Sequence, residues 1–297
     1  MKRTDSIYNY LCHLAPLHQP GANELLTAAQ TVLPNAQHVA IFDTTYFTSM
    51  PEEQVVYPLP YDWFEQLGIR RFGFHGISHE WCQHRAAQLL NRNLSDLSII
   101  SCHLGSGCSI TASRGGKAVA TTMGYTPLDG IMMGTRGGSI DPGILLYMLR
   151  DGGLTIDQLD EALHKNSGLR GVSGISSDVR ELETAAASGH YRAALALNLF
   201  ADRARSEIAR MAVRLGRADV LVFTGGIGEH AVAMRERITN NLEMLGWHLD
   251  RQRNESLQDE GDIATTDSPG RILVIRARED LAMREAIATL LTDLPSG

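Results

Sequence analysis

An arginine surrounded by glycines is the residue in this sequence best suited to hold an anion. It is Arg136, in the phrase Met-Gly-Thr-Arg-Gly-Gly-Ser-Ile-Asp-Pro at residues 133–142. The glycines allow the backbone to approach a ligand closely, and the planar guanidinium can donate two parallel hydrogen bonds to a carboxylate or phosphate. The phrase predicts an anion site and points to phosphoryl transfer, although alone it is a weak signal.

Two glycine-rich segments follow apolar runs and predict phosphate-binding backbone. The run at 97–102 leads to glycines at 105 and 107, and the run at 220–223 leads to Gly-Gly-Ile-Gly at 225–228. A strand that ends in such a turn exposes N–H groups that can cradle phosphate oxygens. Neither segment is a Walker A loop or a GxGxxG motif, and each alone is more often an ordinary tight turn. Together with Arg136, they favour phosphate binding.

Two histidines four residues apart, His75 and His79, raise the question of a zinc site. We reject that interpretation because Gly76 is a poor helix residue, no glutamate follows the first histidine, and no third ligand is evident. His75 is better suited to hydrogen-bond an anionic ligand, with a structural histidine as the alternative. His18, which lies between two prolines, has the same two interpretations.

Acidic residues stand at the ends of two other predicted strands. Asp43 follows the apolar run at 39–42, where a side chain at the carboxyl edge of a sheet faces the ligand crevice. An Asx turn or a helix cap is the alternative for Asp43. Glu279 and Asp280 follow the run at 272–275 and could hold a metal or cap the last helix. Spacing does not decide between these two roles.

Strands that alternate with helices must position these residues, which predicts an α/β fold. The apolar residues of 191–215 recur at the spacing of one buried helix face, and Asp141-Pro142 has the form of an N-cap followed by the first helical residue. The predicted strands are 39–42, 97–102, 220–223 and 272–275, with a hairpin of 108–113 and 117–123; the predicted helices are 142–149, 191–215, 232–245 and 280–291.

Composition narrows the classes of protein to consider. The 297 residues, 43% hydrophobic and 21% charged, are typical of a folded chain long enough for two domains. A formal charge of −7 argues against nucleic acid as a main partner. The sequence contains neither an apolar run of transmembrane length nor the apolar stretch of a secretory signal, and its cysteines form no CxxC pair. We therefore expect no membrane partner and a cytoplasmic location.

Taken in order, short phrases along the whole chain resemble the successive signatures of acetate kinases. They are APLHQP, IFDTTYFTSMP, RFGFHGISH, SCHLGSGCSI, MGYTPLDGIMMGTRGGSIDP, SGLRGVSGISSDVREL, VFTGGIGEH and REDLAMRE. The resemblance implies an actin-like, sugar-kinase-like (ribonuclease H-like) fold of two related α/β domains with ATP in the cleft between them, and a homodimer. It also implies that Mg²⁺-ATP and acetate react to give ADP and acetyl phosphate.

Site residues are carried over by the same resemblance. Asp43, His75 and Arg136 match the catalytic positions, Glu279 matches a magnesium ligand, and His18 matches a histidine near the active site. The implied ATP-binding residues are His103, Leu104, Gly105, Ser106 and Gly107 beside the phosphates, and Asp178, Val179, Arg180, Gly226, Ile227, Gly228, Glu229 and His230 along the adenosine. Because acetate is ionised at neutral pH, its attack needs no general base, so Asp43 is better suited to orient groups or hold Mg²⁺.

The sequence departs from the family pattern in places. An opening strand with an Asn-Ala-Gly-Ser-Ser-like turn and an Arg-Val-Val-His-Gly-Gly-like phrase are missing, so we expect an incomplete first domain of 1–46 and 278–297. Residues 47–277 would form the nucleotide-binding and dimerisation domain. Impaired catalysis is then expected, and a nucleotide-binding remnant or partner subunit without catalysis, or a propionate or butyrate kinase, are the alternatives. Smaller departures are Phe47 for histidine, Ser106 for asparagine, Val179 for phenylalanine and Arg278 for asparagine.

Overall fold

The computed structural model describes residues 19–293, and a six-stranded mixed sheet lies at the centre of this part of the chain. The strands are β1 Ser98–Leu104, β2 Cys108–Arg114, β3 Lys117–Thr121, β4 Val220–Thr224, β5 Gly261–Asp262 and β6 Arg271–Val274. Their order is β3-β2-β1-β4-β6-β5, with β1, β4 and β6 parallel and the others antiparallel to their neighbours. The predicted strands at 97–102, 220–223 and 272–275 and the predicted hairpin are confirmed.

Helices flank the sheet. They are α1 Gln19–Val32, α2 Glu52–Val55, α3 Tyr61–Leu67, α4 Gly76–Leu90, α5 Pro142–Arg150, α6 Ile156–Lys165, α7 Gly168–Ser173, α8 Val179–Ala187, α9 Tyr191–Leu215, α10 Gly225–His230, α11 Val232–Thr239, α12 Arg251–Ser256 and α13 Glu279–Asp293. Short 3-10 helices span Thr45–Ser49, Leu94–Asp96 and Glu243–Leu245. None of these helices has the length and apolar character needed to cross a lipid bilayer.

The two faces of the sheet are covered by different helices. On one face, Ile100 and Phe223 belong to the larger apolar core, which includes the buried stripe of α9. On the other face, Ile99 and Val222 pack with Cys82 and neighbouring residues of α4. This alternation along β1 and β4 follows from the two-residue repeat of a strand, and burial on both faces explains why these runs are apolar throughout.

The strand predicted at 39–42 is wrong. These residues have no regular structure, and the side chains of Val39 and Phe42 are each 42% exposed. A strand requires a neighbour to accept and donate its backbone hydrogen bonds, and no described strand pairs with this segment. Asp43 therefore stands in a turn before the 3-10 helix Thr45–Ser49 instead of ending a strand.

Two helix boundaries also differ from prediction. The helix predicted over 232–245 ends at Thr239, and Asn241 adopts a left-handed conformation with φ of 69° before a separate 3-10 helix. The segment 225–228, predicted as a turn, is the beginning of α10, which starts directly at the end of β4. The helix predicted over 142–149 is confirmed as α5, where Asp141 Oδ1 accepts a hydrogen bond from Gly143 N at 2.8 Å.

Candidate active site

The glycine-rich segments that follow β1 and β4 meet at one edge of the sheet because these two strands are parallel neighbours. A Cβ atom on Gly225 would come within 2.9 Å of Leu104 O, and one on Gly105 would lie 3.9 Å from Gly226 N. Gly225 also has a φ of +77°, a conformation that side chains other than glycine rarely adopt. The two segments predicted to bind phosphate thus lie against each other.

Asp43 joins this edge through the beginning of α4. Its carboxylate accepts hydrogen bonds from His75 N and from Ile77 N, the latter at 3.1 Å, and so caps the helix. His75 itself is in the left-handed conformation with φ of 59°. Burial raises the pKa of Asp43, while hydrogen bonds from the backbone oppose the rise. The helix-cap alternative is therefore present in the structure, and the catalytic role of Asp43 stays a prediction.

The imidazole of His75 is held by two neighbours. It stacks on the His103 ring, with centroids 4.2 Å apart, and its Nδ1 lies 2.9 Å from Ser109 Oγ. His103 Nδ1 lies 2.8 Å from Ser78 Oγ. Burial, followed by repulsion from His75, lowers the pKa of His103 to about 3, so this ring is neutral near pH 7. Sequence reasoning missed both serines, whose only signal is their proximity to predicted site residues.

Arg136 reaches the same place from the loop between β3 and α5. Its side chain is buried, and its Nη1 donates a hydrogen bond to Pro127 O at 2.9 Å. Its Nη2 lies 2.8 Å from the position that a Cβ atom on Gly107 would occupy, and His75 Nε2 lies 3.1 Å from that position. The guanidinium and the imidazole therefore converge beside Gly107, at the end of β1.

A cleft of about 790 Å³ opens next to this point. Eight predicted nucleotide-binding residues line it: Gly105, Ser106, Asp178, Val179, Arg180, Gly226, Ile227 and His230. A Cβ atom on Gly226 would meet no atom within 4 Å, so the backbone there faces open space. Sequence reasoning did not identify the other residues of the lining, which are Ser177, Glu183, Ala231, Val232, Ala233, Glu236 and Glu255.

Five residues of the predicted nucleotide set do not line this cleft. His103 and Gly107 lie instead beside His75 and Arg136, as described above. Leu104 is fully buried in the apolar core. The carboxylate of Glu229 accepts hydrogen bonds from Gly225 N and Ala277 N, both at 2.9 Å, and thereby joins α10 to the segment after β6. Gly228 is buried against β4. These residues support the loops in the structure, and their contact with a nucleotide stays a prediction.

A buried arginine that sequence reasoning missed holds the far end of α10. Arg235 is 1% exposed, and its Nη1 donates hydrogen bonds to Gly228 O at 3.0 Å and to Glu229 O at 2.7 Å. Its Nε donates to Asn254 Oδ1 at 2.7 Å. Carbonyl groups at the end of a helix are natural acceptors for a cation. Arg235 therefore fixes the position of the segment whose backbone lines the cleft.

The two acidic residues at the beginning of α13 have different surroundings. Asp280 pairs with Arg278 at 2.9 Å, and that ion pair lowers the pKa of Asp280 to about 2. Glu279 is half-buried, and its pKa is raised by burial and by repulsion from Asp43. The carboxylates of Asp43 and Glu279 thus repel each other, whereas Asp280 is already paired. His18 lies outside the described residues.

Comparison with known proteins gives the relationship of the chain. The Acetokinase family profile matches residues 4–285. An acetate kinase from Synechococcus sp. is 50% identical over 281 residues, which cover 95% of this chain and 69% of that protein. The crystal structure of Porphyromonas gingivalis acetate kinase has a TM-score of 0.91 at 38% identity, covering 96% of this chain and 71% of its own.

A second solved structure agrees with the first. A propionate kinase from Francisella tularensis has a TM-score of 0.87 at 38% identity, covering 93% of this chain and 70% of its own. The expected α/β fold of the actin-like, sugar-kinase-like type is therefore confirmed, and so is the resemblance found in the sequence. On these matches, the chain belongs to the Acetokinase family of kinases.

Proposed function

We propose that the chain transfers a phosphoryl group between ATP and a short carboxylate, with acetate as the first substrate to test. The observation that carries this proposal is the convergence of Arg136 Nη2 and His75 Nε2 beside Gly107. These donors stand at the end of β1, next to a cleft large enough for a nucleotide. A transferring phosphoryl group would lie between the carboxylate and ADP at this point.

The reaction suits these residues because it needs positioned charge more than proton transfer. A carboxylate oxygen attacks the γ-phosphorus of ATP, the bond from that phosphorus to the β,γ-bridging oxygen breaks, and ADP leaves with the electron pair. Charge on the equatorial oxygens is stabilised by donors placed around an in-line transfer. Arg136 supplies a fixed positive charge, His75 would supply a ring N–H, and the backbone N–H groups of Ser106 and Gly107 would supply further donors.

Asp43 and Glu279 are the residues that would hold Mg²⁺. The pKa of Glu279 is raised in part by repulsion from Asp43, which supports a site with two carboxylates. Mg²⁺ is commonly bound by one or two carboxylates together with substrate phosphates. When bound, the ion would neutralise charge on the β- and γ-phosphates. Asp43 would use the lone pairs left over from its hydrogen bonds to the beginning of α4.

The adenosine of ATP would lie along Val179 and the backbone of α10. Val179 begins α8, where Asp178 Oδ1 accepts a hydrogen bond from Arg180 N at 2.9 Å. This cap holds the start of α8 in the wall of the cleft, which Gly226 and Ile227 also line. Valine offers less area for stacking than phenylalanine, so we expect weaker packing on the adenine than in relatives that have the aromatic residue.

We further propose a homodimer of cytoplasmic subunits. The support is the apolar surface of α5, where the side chains of Ile144, Leu146 and Tyr147 are 52%, 51% and 59% exposed. A helix this apolar is normally covered, and a second copy of the chain is the occupant that the family resemblance implies. Residues 47–277 would then carry both the nucleotide cleft and the dimer contact.

A hydroxamate assay tests the proposed reaction. The purified chain is incubated with Mg²⁺-ATP and acetate, propionate or butyrate, and acyl phosphate is trapped by hydroxylamine. We expect turnover with at least one carboxylate and at least about 10²-fold lower kcat for Arg136→Ala. ATP binding without turnover on any of the three would overturn the proposal and favour a nucleotide-binding subunit that lacks catalysis.

A further inference from the structure

A buried series of hydrogen-bonded side chains, formed by Ser101, His79 and Ser109, leads to His75. Ser101 Oγ lies 2.7 Å from His79 Nδ1, and His79 Nε2 lies 2.7 Å from Ser109 Oγ. Ser109 Oγ in turn lies 2.9 Å from His75 Nδ1. Ser101, His79 and Ser109 each have 0% exposure, so bulk water does not compete for these hydrogen bonds.

Proton counting leaves two directions in which each member of this series donates to the next. A serine hydroxyl has one proton to donate, and a neutral imidazole carries a proton on only one of its nitrogens. Ser109 can therefore donate to His75 or to His79, but not to both. Burial, reinforced by repulsion from His103 and His75, lowers the pKa of His79 well below its usual value. His79 is thus neutral near pH 7 and must adopt one tautomer.

In the first direction, each donor points toward the active site. Ser101 donates to His79 Nδ1, His79 Nε2–H donates to Ser109, and Ser109 donates to His75 Nδ1. The remaining proton of His75 is then on Nε2, the atom that converges with Arg136 beside Gly107. In this arrangement His75 presents an N–H donor to an incoming phosphate.

In the reverse direction, the neutral His75 presents a lone pair at Nε2, which would repel phosphate oxygens. A doubly protonated His75 would in that direction place a second cation at the point that Arg136 Nη2 already reaches. The first direction is the one compatible with a neutral donor.

We propose that His79 and Ser109 are positioning residues which hold His75 as the Nε2–H tautomer, ready to donate a hydrogen bond to the transferring phosphoryl group. The inference rests on the proposed function and adds two residues to it that do not themselves touch substrate. It also gives a reason for the complete burial of His79 and Ser109: within residues 19–293, their side chains form hydrogen bonds with the other members of this series.

Kinetics of matched hydroxyl deletions provide the first test. Ser109→Ala removes the donor to His75, and Thr111→Val removes another buried hydroxyl of β2, whose partner is Thr121 at 2.9 Å. We expect kcat of Ser109→Ala to fall about 10-fold, less than for loss of a whole donor, while the KM values for ATP and carboxylate change by less than about twofold. Equal kcat in Ser109→Ala and Thr111→Val would overturn the proposal.

Two substitutions of His79 distinguish a role in positioning His75 from a role in packing. Glutamine can place an amide N–H near the position of His79 Nε2 and donate to Ser109, whereas leucine cannot. We expect His79→Gln to retain kcat within about threefold and His79→Leu to lose about as much as Ser109→Ala. Equal losses in the two variants, at equal thermal stability, would contradict the proposed role of the N–H.

Nitrogen-15 NMR of the histidine side chains tests the direction without requiring turnover. In the unsubstituted protein we expect both His79 and His75 to carry their proton on Nε2, with Nδ1 unprotonated. A proton on Nδ1 of His79 would overturn the proposal, even if the enzyme is active and even if Ser109→Ala does not fold. Conversely, if the protein shows the expected tautomers but no carboxylate turnover, the positioning of His75 by His79 and Ser109 would stand and only the proposed function would be refuted.

Discussion

Replacing Gly107 by alanine would place a methyl group between the two donors of the candidate site. The added Cβ would lie 2.8 Å from Arg136 Nη2 and 3.1 Å from His75 Nε2. Ordinary contact distances begin at about 3.5 Å, so the guanidinium would have to move by roughly 0.7 Å if it absorbs the change alone. Misplacing a catalytic group by about 1 Å can cost about 10²-fold in rate, and we expect kcat of Gly107→Ala to fall by about that factor.

The same substitution should leave the fold intact. Gly107 is not among the glycines with a left-handed backbone, so alanine can adopt its conformation. The atoms nearest to the new methyl group are the ends of two side chains, which can shift at small cost. We therefore expect the free energy of unfolding, measured with urea, to change by less than about 1 kcal/mol. Acyl phosphate formation in the hydroxamate assay measures kcat.

Gly137→Ala is the matched control because Gly137 adjoins Arg136 in sequence. A Cβ atom there would meet Ile140 Cγ2 at 3.8 Å and Ser167 Cβ at 3.9 Å, which are ordinary contacts. We expect kcat of this variant to stay within about threefold of the parent. Full activity in Gly107→Ala, or equal losses in both variants, would refute the conclusion that the two donors act together beside Gly107.

Three further predictions concern the cleft, the imidazole of His103 and the surface of α5. Gly226→Leu should raise the KM for ATP by at least about 10-fold, because the new side chain would occupy open space in the cleft. His103 has its pKa lowered to about 3, so the unfolded chain binds more protons below about pH 6.5. As pH falls through this window, the free energy of unfolding falls by about 1.4 kcal/mol per pH unit, because folding must release a proton from His103. His103→Gln should reduce the pH dependence of the free energy of unfolding, measured with urea, by that amount. Tyr147→Glu should shift sedimentation from dimer to monomer, since it places a charge on an exposed apolar face.

Each of these predictions has a result that contradicts it. An unchanged KM for ATP in Gly226→Leu would show that nucleotide binds elsewhere. Identical pH slopes for the parent and His103→Gln would mean that this imidazole titrates normally in the folded protein. A Tyr147→Glu variant that remains dimeric would exclude α5 as the contact between subunits, and Lys117→Glu, at an exposed position outside α5, is the charge control.

The local sequence pattern was sufficient to predict elements whose signal lies within a single segment. The helix predicted over 191–215 coincides with α9 because its apolar residues recur on one face, and Phe200, Ile208 and Met211 are all buried. The Asp141-Pro142 cap was also predictable, since the acceptor and the donor lie two residues apart. The strand predicted for the apolar run at 39–42 is wrong because strand formation depends on a partner elsewhere in the chain, which the run itself does not encode.

The identities and order of residues alone were enough to recognise the family and to name Asp43, His75 and Arg136 as candidates, because these signals are carried by short phrases. Only the folded chain brings Arg136 Nη2 and His75 Nε2 to one point, caps α4 with Asp43, and connects His75 to Ser109. These contacts join residues about thirty or more positions apart, so they depend on how strands pair and how helices pack on them, which no local phrase encodes.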